Sequence, residues 1–426
     1  MSDTANSAAP LSGPPAYAAI HHGTPEFRRT NLALFAAGFA TFGLLYCVQP
    51  LMPEFSVDYG VSEAVSALSL SLTTGVLAVA MLFAGALSDA WGRKSVMVAS
   101  ILSSALLVLV SSVMPTWSSL LVVRTLMGLT LSGLPAVAMT YLSEEMHVES
   151  IGLGMGLYIS GSAVGGMGGR IISGVLTDFV GWRIGVAVVG VIGIVAGLIF
   201  WHALPASRHF VAQPLRWRVV LHRFTGMFHD RGLPWLFIEG FLLLGAFVTV
   251  YNYLGYRLLA APYNLSQTVV GLIFGIYLVG TFSSAWMGHL AGRLGRRKVL
   301  WTALALMLVG VALTMTTPLL LVMLGVVAIT FGFFGGHSIV SSWVGRRAGA
   351  AKAQAASVYL FSYYMGSSIA GATGGLFYAS HGWNGVGLFV GVMVLAGLLI
   401  ALRLIHLPPL VNVATEPTPM TRGAMP

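Results

Sequence analysis

Charge is what this sequence has least of. Of 426 residues, 13 are acidic and 22 are lysine or arginine, which makes 8% charged against 57% hydrophobic. Soluble domains carry about a quarter charged residues, so this chain cannot clothe a water-facing surface. Cysteine occurs once, at Cys47, which excludes an internal disulfide framework and any C-x-x-C metal or redox site. Walker A, H-E-x-x-H and G-x-S-x-G motifs and paired catalytic carboxylates are absent. The chain therefore reads as no enzyme, with no cofactor or metal, and without a nucleotide-binding domain its energy must come from a gradient. The first thirty residues lack the charged-then-apolar build of a cleavable signal and predict a disordered cytoplasmic tail over 1–30.

Long apolar runs are what it has in abundance. Twelve stretches are each long enough to cross about 30 Å of hydrocarbon as helix: 31–53, 64–88, 95–114, 118–142, 150–176, 183–203, 234–257, 266–290, 298–316, 318–342, 353–379 and 384–406. Backbone groups in lipid must bond internally, which selects helices, and 52 glycines suit close helix–helix approach. The predicted class is all-α integral membrane. The net charge of +9 points to nucleic acid only if the basic residues form one folded patch. They lie instead in short connections, as an orientation signal does. With the N-terminus inside, eighteen of them, among them Arg28, Arg93, Lys94, Arg231, Arg297 and Arg346, fall on the inner side. Arg183 and Arg257 fall outside, and Arg124 and Arg170 stay within spans. That split places both termini in the cytoplasm.

One connection occurs twice. Gly85-Ala86-Leu87-Ser88-Asp89-Ala90-Trp91-Gly92-Arg93-Lys94 is read as a tight turn, and Gly288, Leu290, Gly295 and Arg296 repeat Gly85, Leu87, Gly92 and Arg93 at a constant offset. Tyr158 and Gly181-Trp182 recur as Tyr359 and Gly382-Trp383, and Tyr46 near the end of span one matches Tyr251 near the end of span seven. The arginine-rich stretch 204–233 separates two halves of six spans, 31–203 and 234–406, with a cytoplasmic tail at 407–426. Parallel repeats of this kind are used by transporters, with the cargo site between the halves.

The loop resembles the signature G-x-L-x-D-x-x-G-R-K of the major facilitator superfamily, which Gly85, Leu87, Asp89, Gly92, Arg93 and Lys94 satisfy. Arg124 followed by Gly128 resembles that family's R-x-x-x-G element of span four, and Pro50-Leu51-Met52-Pro53 resembles the end of span one in its twelve-span drug:proton antiporters. The runs Leu45–Pro50, Thr140–Glu145 and Phe361–Tyr364 resemble its YnfM-type branch of bacterial inner-membrane transporters. The resemblance implies two pseudo-symmetric six-helix bundles, alternating access, and a gating or conformational role for Gly85, Asp89, Gly92, Arg93, Lys94 and Arg296. Two departures stand out. Ser162 replaces the proline of the span-five antiporter motif, and Gly292 replaces the loop aspartate in the second half.

Charges inside spans are the candidate machinery, because each costs at least about 2.5–3.5 kcal/mol to insert and should face a cavity or a partner. Arg170 is read either as an anion site for cargo or as a residue that snorkels or pairs with Asp178. For Arg124 the resemblance supports proton coupling or a polar network that touches cargo. Glu239, within span seven, is read as a proton carrier or as a salt-bridge partner of Arg231. His337 can titrate near neutrality or be structural. Tyr46, Gln49, Tyr251, Asn252 and Tyr363 are read as cavity lining for a mixed polar and apolar cargo, with an interfacial aromatic belt as the alternative. The implied function is secondary transport by a functional monomer in the bacterial inner membrane, as proton-coupled efflux of a small amphipathic or organic molecule. Nutrient uptake and a non-transporting sensor are the alternatives. Nucleic acid is not an expected partner.

Overall fold

Glycine and proline set where this chain stops being helical. The computed structural model describes residues 19–208, 210, 228 and 230–406. The predicted tails over 1–18 and 407–426 and the central-loop residues 209, 211–227 and 229, with Arg216, Arg218 and Arg223, lie outside the described residues.

The first half begins with α1 (Pro25–Tyr46), capped by Thr24 Oγ1, which accepts from Phe27 N at 3.1 Å. A 3-10 turn at Gln49–Leu51 and the short α2 (Met52–Tyr59) and α3 (Glu63–Ser66) follow. Then come α4 (Leu68–Trp91), α5 (Arg93–Ser111), α6 (Trp117–Leu131), α7 (Gly133–Glu145), α8 (Val148–Val180) and α9 (Trp182–Ala203). The second half holds α10 (Leu233–Leu259), α11 (Gln267–Ile273), α12 (Tyr277–Leu294), α13 (Arg296–Thr314), α14 (Leu319–Arg347) and α15 (Lys352–Ile405). α15 is broken by non-helical His381 and Gly382.

Ten helical stretches among the described residues are long and apolar enough to cross a membrane, with α1–α2, α3–α4, α6–α7 and α11–α12 each counted as one. One of them, 52 residues over Gln354–Ile405, contains that break. The glycine-rich α8 is not among the ten, although its 33 residues extend about 50 Å. Large apolar side chains such as Phe83, Phe282, Trp286 and Leu320 point outward, as a lipid-facing surface requires.

Two expectations are corrected. The chain is ordered well before residue 31. Ile20 N donates to Glu145 O at 2.8 Å, His147 N donates to Ile20 O at 3.1 Å, and His22 N donates to Ser150 Oγ at 3.0 Å. The expected spans one and four each lie within one crossing stretch, Pro25–Tyr59 and Trp117–Glu145, with a local break in the helix. The first breaks after Tyr46, since Pro50 has no N–H with which to continue the ladder, and the second at Ser132, where Pro135 removes a backbone donor in the first turn of α7. In the signature loop, Gly85 and Asp89 are helical, and the turn is the single residue Gly92 at φ 92° and ψ 144°. Gly295 copies it at φ 92° and ψ 136°, a region side chains other than hydrogen avoid.

Glycine also sets the tightest packing. Gly161, Gly165 and Gly169 form one stripe of α8, and a Cβ on Gly169 would lie 2.5 Å from Gly43 O of α1. A Cβ on Gly165 would collide with Phe39 O. In the second half, Gly366 of α15 meets Phe241 O of α10 in the same way. Small residues every fourth position let backbones meet where lipid supplies no hydrophobic drive. Gly128 has the same use: α6 passes so close to α4 that a Cβ there would strike Thr73 O.

Candidate functional site

The two signature turns lie at one end of the bundle, and their cations cap helices. Arg93 grips Glu144 with two bonds, Nε to Oε2 at 3.0 Å and Nη2 to Oε1 at 2.8 Å. Its Nη1 donates to Ser88 Oγ at 2.6 Å and to Asp89 Oδ1. Asp89 and Glu144 thus share one guanidinium and tie the end of α4 to the end of α7. Lys94 Nζ donates to Leu204 O at 2.5 Å, just past α9, and in the second half Arg297 Nη1 donates to Ile405 O at 2.8 Å, at the end of α15. Cations on the last carbonyls of a helix satisfy orphan acceptors and oppose the dipole. Arg296, the counterpart of Arg93, meets a hydroxyl, Ser342 Oγ, at 3.2 Å. Sequence reading missed Glu144, although it is an acidic residue in the last turn of α7, just beyond an apolar run as Arg93 is.

At this end the second half has its own tie. Asp230 Oδ1 accepts from Gly232 N at 2.8 Å, from Leu233 N at 2.7 Å and from Arg347 Nε at 2.5 Å. Burial opposes the Asp230 charge, but the Arg347 bond and the two N–H groups outweigh it and hold the carboxyl below its ordinary range. Arg231 makes no salt bridge to Glu239, since neither oxygen of Glu239 has a hydrogen-bond partner.

Arg124 is fully buried. Its Nε donates to Ser69 O at 3.0 Å, its Nη2 to Leu45 O at 2.8 Å and its Nη1 to Leu44 O at 3.4 Å and Met127 Sδ at 3.0 Å. The carbonyls of Leu44 and Leu45 belong to the last turn of α1, where helix acceptors are orphaned. Arg124 thereby ties α6 to the ends of α1 and α4.

Arg170 stands where the halves meet at the opposite end from the signature turns. Its Nε donates to Gln49 Oε1 at 2.7 Å, and Nη1 donates to Gly166 O at 2.6 Å. Three rings surround its guanidinium: Tyr46 at 4.1 Å, Tyr277 at 4.7 Å and Phe274 at 5.1 Å from their centroids. It is 2% exposed, so it does not snorkel. Asp178 instead accepts from Thr268 N at 2.6 Å, at the start of α11.

Gln49 continues the contact into the other half, its Nε2 donating to Asn252 Oδ1 at 2.8 Å. Around it, Ser56 Oγ and Tyr256 Oη lie 2.6 Å apart, Tyr256 Oη donates to Met52 O at 2.7 Å, and Ser368 Oγ donates to Ser71 O at 2.7 Å. Gln267 Nε2 donates to Pro50 O. Gly174 and Gly271 bring α8 and α11 together, a Cβ on either lying about 3 Å from the other's Cα.

From Arg170 a row of rings leads into the second half. Tyr277 packs on Phe247 at 5.5 Å, Phe247 stacks on Phe333 at 3.9 Å, and Phe333 faces His337 at 6.1 Å and Tyr363 at 6.3 Å. His337 Nδ1 bonds Tyr359 Oη at 2.8 Å, and its ring lies 4.6 Å from that of Tyr363. Tyr251 joins this row through Phe247 at 4.9 Å, and its hydroxyl bonds Thr330 Oγ1 at 2.8 Å. Tyr46, Tyr251 and Tyr253 are buried, which sets them inside the bundle rather than in a lipid-facing belt. The structure thus brings Tyr46, Gln49, Arg170, Tyr251, Asn252, His337 and Tyr363 into one continuous polar and aromatic seam. Arg124 and the signature residues lie apart from it. Sequence reading missed Phe274, Tyr277, Phe247 and Phe333. The spacing of Phe274 and Tyr277, three apart on one helical face, was the available signal.

Glu239 sits on α10 with both carboxylate oxygens buried and unbonded, against the second arm of α15, where a Cβ on Gly397 would lie 3.0 Å from its Oε1. Among the described residues no group of three or more His, Cys, Asp or Glu could hold a metal ion.

A duplicated all-helical membrane bundle with paired R-K turns at one end defines a class of transporters, and the sequence agrees. It matches the family profile described as Major Facilitator Superfamily over residues 34–260 and 253–424. The chain belongs to the major facilitator superfamily. It is 51% identical over 385 residues to the Inner membrane transport protein YnfM of Escherichia coli (strain K12), covering 90% of this chain and 92% of that one. It is 46% identical over 379 residues to the Uncharacterized MFS-type transporter YybF of Bacillus subtilis (strain 168), covering 89% and 94%. Among solved structures, the nucleoside transporter NupG superposes with a TM-score of 0.68 at 16% identity, over 90% of this chain and 98% of that one, which shows a shared fold. The chain is a multi-pass inner-membrane transporter of a superfamily that carries small molecules.

Proposed function

We propose that this chain is a proton-coupled secondary transporter that exports a small amphipathic organic molecule by alternating access. It crosses the membrane twelve times as a monomer, with both termini in the cytoplasm. Counting α8 and both arms of α15 as separate crossings supports the number twelve. The hydrogen bonds that join the halves cluster at the end away from the signature turns. With the basic turns inside, this is the conformation closed to the exterior.

Glu239 carries the coupling assignment. It is fully buried, and neither oxygen is bonded. Such a carboxyl has no fixed partner to hold its charge, and it is suited to taking up and releasing a proton as its surroundings open and close. Tyr359 packs on Gly240, the residue next to Glu239, and its Oη bonds His337 Nδ1 at 2.8 Å. Arg124, bound to three carbonyls of two helices, is assigned to the frame of the first half. In proteoliposomes, Glu239→Gln is expected to keep exchange of cargo across equal pH and to lose accumulation driven by a pH difference. Unchanged gradient-driven accumulation would remove the coupling assignment.

One observation favours uptake as a second reading. Ser162 stands in the place of the antiporter proline, its Oγ donates to Tyr158 O at 2.9 Å, and α8 runs through it unbroken. The direction of flux in everted vesicles separates the two.

A further inference from the structure

We infer that Arg170 makes the carrier selective for cargo bearing a negative group, a carboxylate on an apolar body, and that Gln49 occupies the place of that group in the exterior-closed state. The inference rests on the transporter reading above and narrows it to a chemical class.

Arg170 is buried, and among the described residues no carboxylate pairs with it. An unpaired cation in a membrane interior is costly, and here three rings and two neutral oxygens offset it. Those partners are divided between the halves. Tyr46, Gln49 and Gly166 belong to the first, while Phe274 and Tyr277 belong to the second. The amide that accepts from Nε is itself anchored across the joint, on Asn252.

When the halves part at this end, Phe274, Tyr277 and Asn252 leave together. The guanidinium then keeps Tyr46 and an amide that has lost its anchor, and Nη2, which donates to no described residue, is free to receive. Nε and Nη2 form one edge of the fork, the geometry that holds a carboxylate with two parallel bonds. Gln49 Oε1 already stands at half of that edge, 2.7 Å from Nε. A cargo carboxylate entering there displaces a neutral acceptor with a charged one. The rings of Tyr277, Phe247 and Phe333, packed together in the second half, face Arg170 across the opened joint as an apolar surface for the rest of the molecule. Asn252 Nδ2, buried without a partner in the closed state, stands on that same opposite side.

The test is binding, which needs no gradient and so fails or succeeds independently of the coupling assignment. Thermal unfolding of the purified full chain is followed with benzoate and 3-phenylpropionate, each against its own amide. The carboxylates are expected to raise Tm and the amides to leave it unchanged. Arg170→Gln is expected to abolish the carboxylate effect, and Arg170→Lys to retain part of it. Gln49→Glu leaves Arg170 in place and supplies a tethered carboxylate, and is expected to weaken carboxylate binding by at least about tenfold. That variant keeps the test open if Arg170→Gln does not fold. Equal stabilisation by amides, no stabilisation by either carboxylate, or undiminished carboxylate binding in Gln49→Glu would each overturn the inference.

Discussion

Two arginines buried in the same half, Arg124 on α6 and Arg170 on α8, have opposite uses, and their partners tell them apart. Arg124 gives its donors to backbone carbonyls of α1 and α4, all within one half. Arg170 gives one bond to Gly166 O of its own helix and makes its other contacts with side chains, two of them from the other half. Arg124→Ala leaves carbonyls of Leu44, Leu45 and Ser69 without their charged donor, a loss of about 2–4 kcal/mol. Thermal unfolding in detergent is expected to show it, with little recovery in Arg124→Lys, whose point charge cannot span three acceptors. The Gln49–Asn252 bond is expected to behave as a latch. Cys47, the chain's single cysteine and fully buried beside it, is a native reporter. Gln49→Ala or Asn252→Ala is expected to speed its reaction with a small maleimide severalfold. An unchanged rate in both variants would show that this bond does not hold the exterior end closed.

At the scale of elements, the glycine stripes set the distance between helices. The contact of α1 with α8 is copied by that of α10 with α15, glycine against carbonyl in each. Gly165→Val and Gly366→Val are expected to destabilise by similar amounts, about 1–3 kcal/mol or more, read as lowered Tm. A tolerant response in one half alone would mean that the two contacts are not equivalent. The start of α10 depends on Asp230, whose carboxyl is held below its ordinary value by Arg347 and two N–H groups despite burial. A lowered folded-state value means that this contribution is complete above the ordinary carboxylate range. It is lost as pH falls through the lowered value. Asp230→Asn is therefore expected to lower Tm at neutral pH, and its difference from the unmodified chain to shrink in strong acid.

At the scale of the whole molecule, two similar halves are tied unequally. The first half binds its signature arginine to two carboxylates, Asp89 and Glu144. The second has Gly292 in the aspartate position and gives Arg296 a serine hydroxyl. Asp89→Asn is expected to shift the balance between exterior-closed and exterior-open states, read by Cys47 labelling, while Gly292→Asn changes it much less. Equal shifts would sink the asymmetry. A Cβ on Gly85 meets open space in this state, so any requirement for glycine there belongs to the state in which the signature ends approach each other.

Much of this was readable in the sequence because it is local or periodic. Apolar length determined the helices, the placement of basic residues proposed their orientation, and a constant offset exposed the duplication. That same offset, Gly85 to Gly288, also pairs Gln49 with Asn252, the two residues that meet across the joint. The charges inside spans marked the candidate machinery, since burying them is costly enough to need a reason. What only the tertiary structure decided is who meets whom. No pattern in the chain says that Arg124 faces carbonyls while Arg170 faces rings from the other half, because those partners lie 55 or more residues away. Nor does any local signal order residues 20–24, which are held by the turn after α7. A side chain's role in a membrane depends on what replaces water around it, and that replacement is assembled from the whole fold.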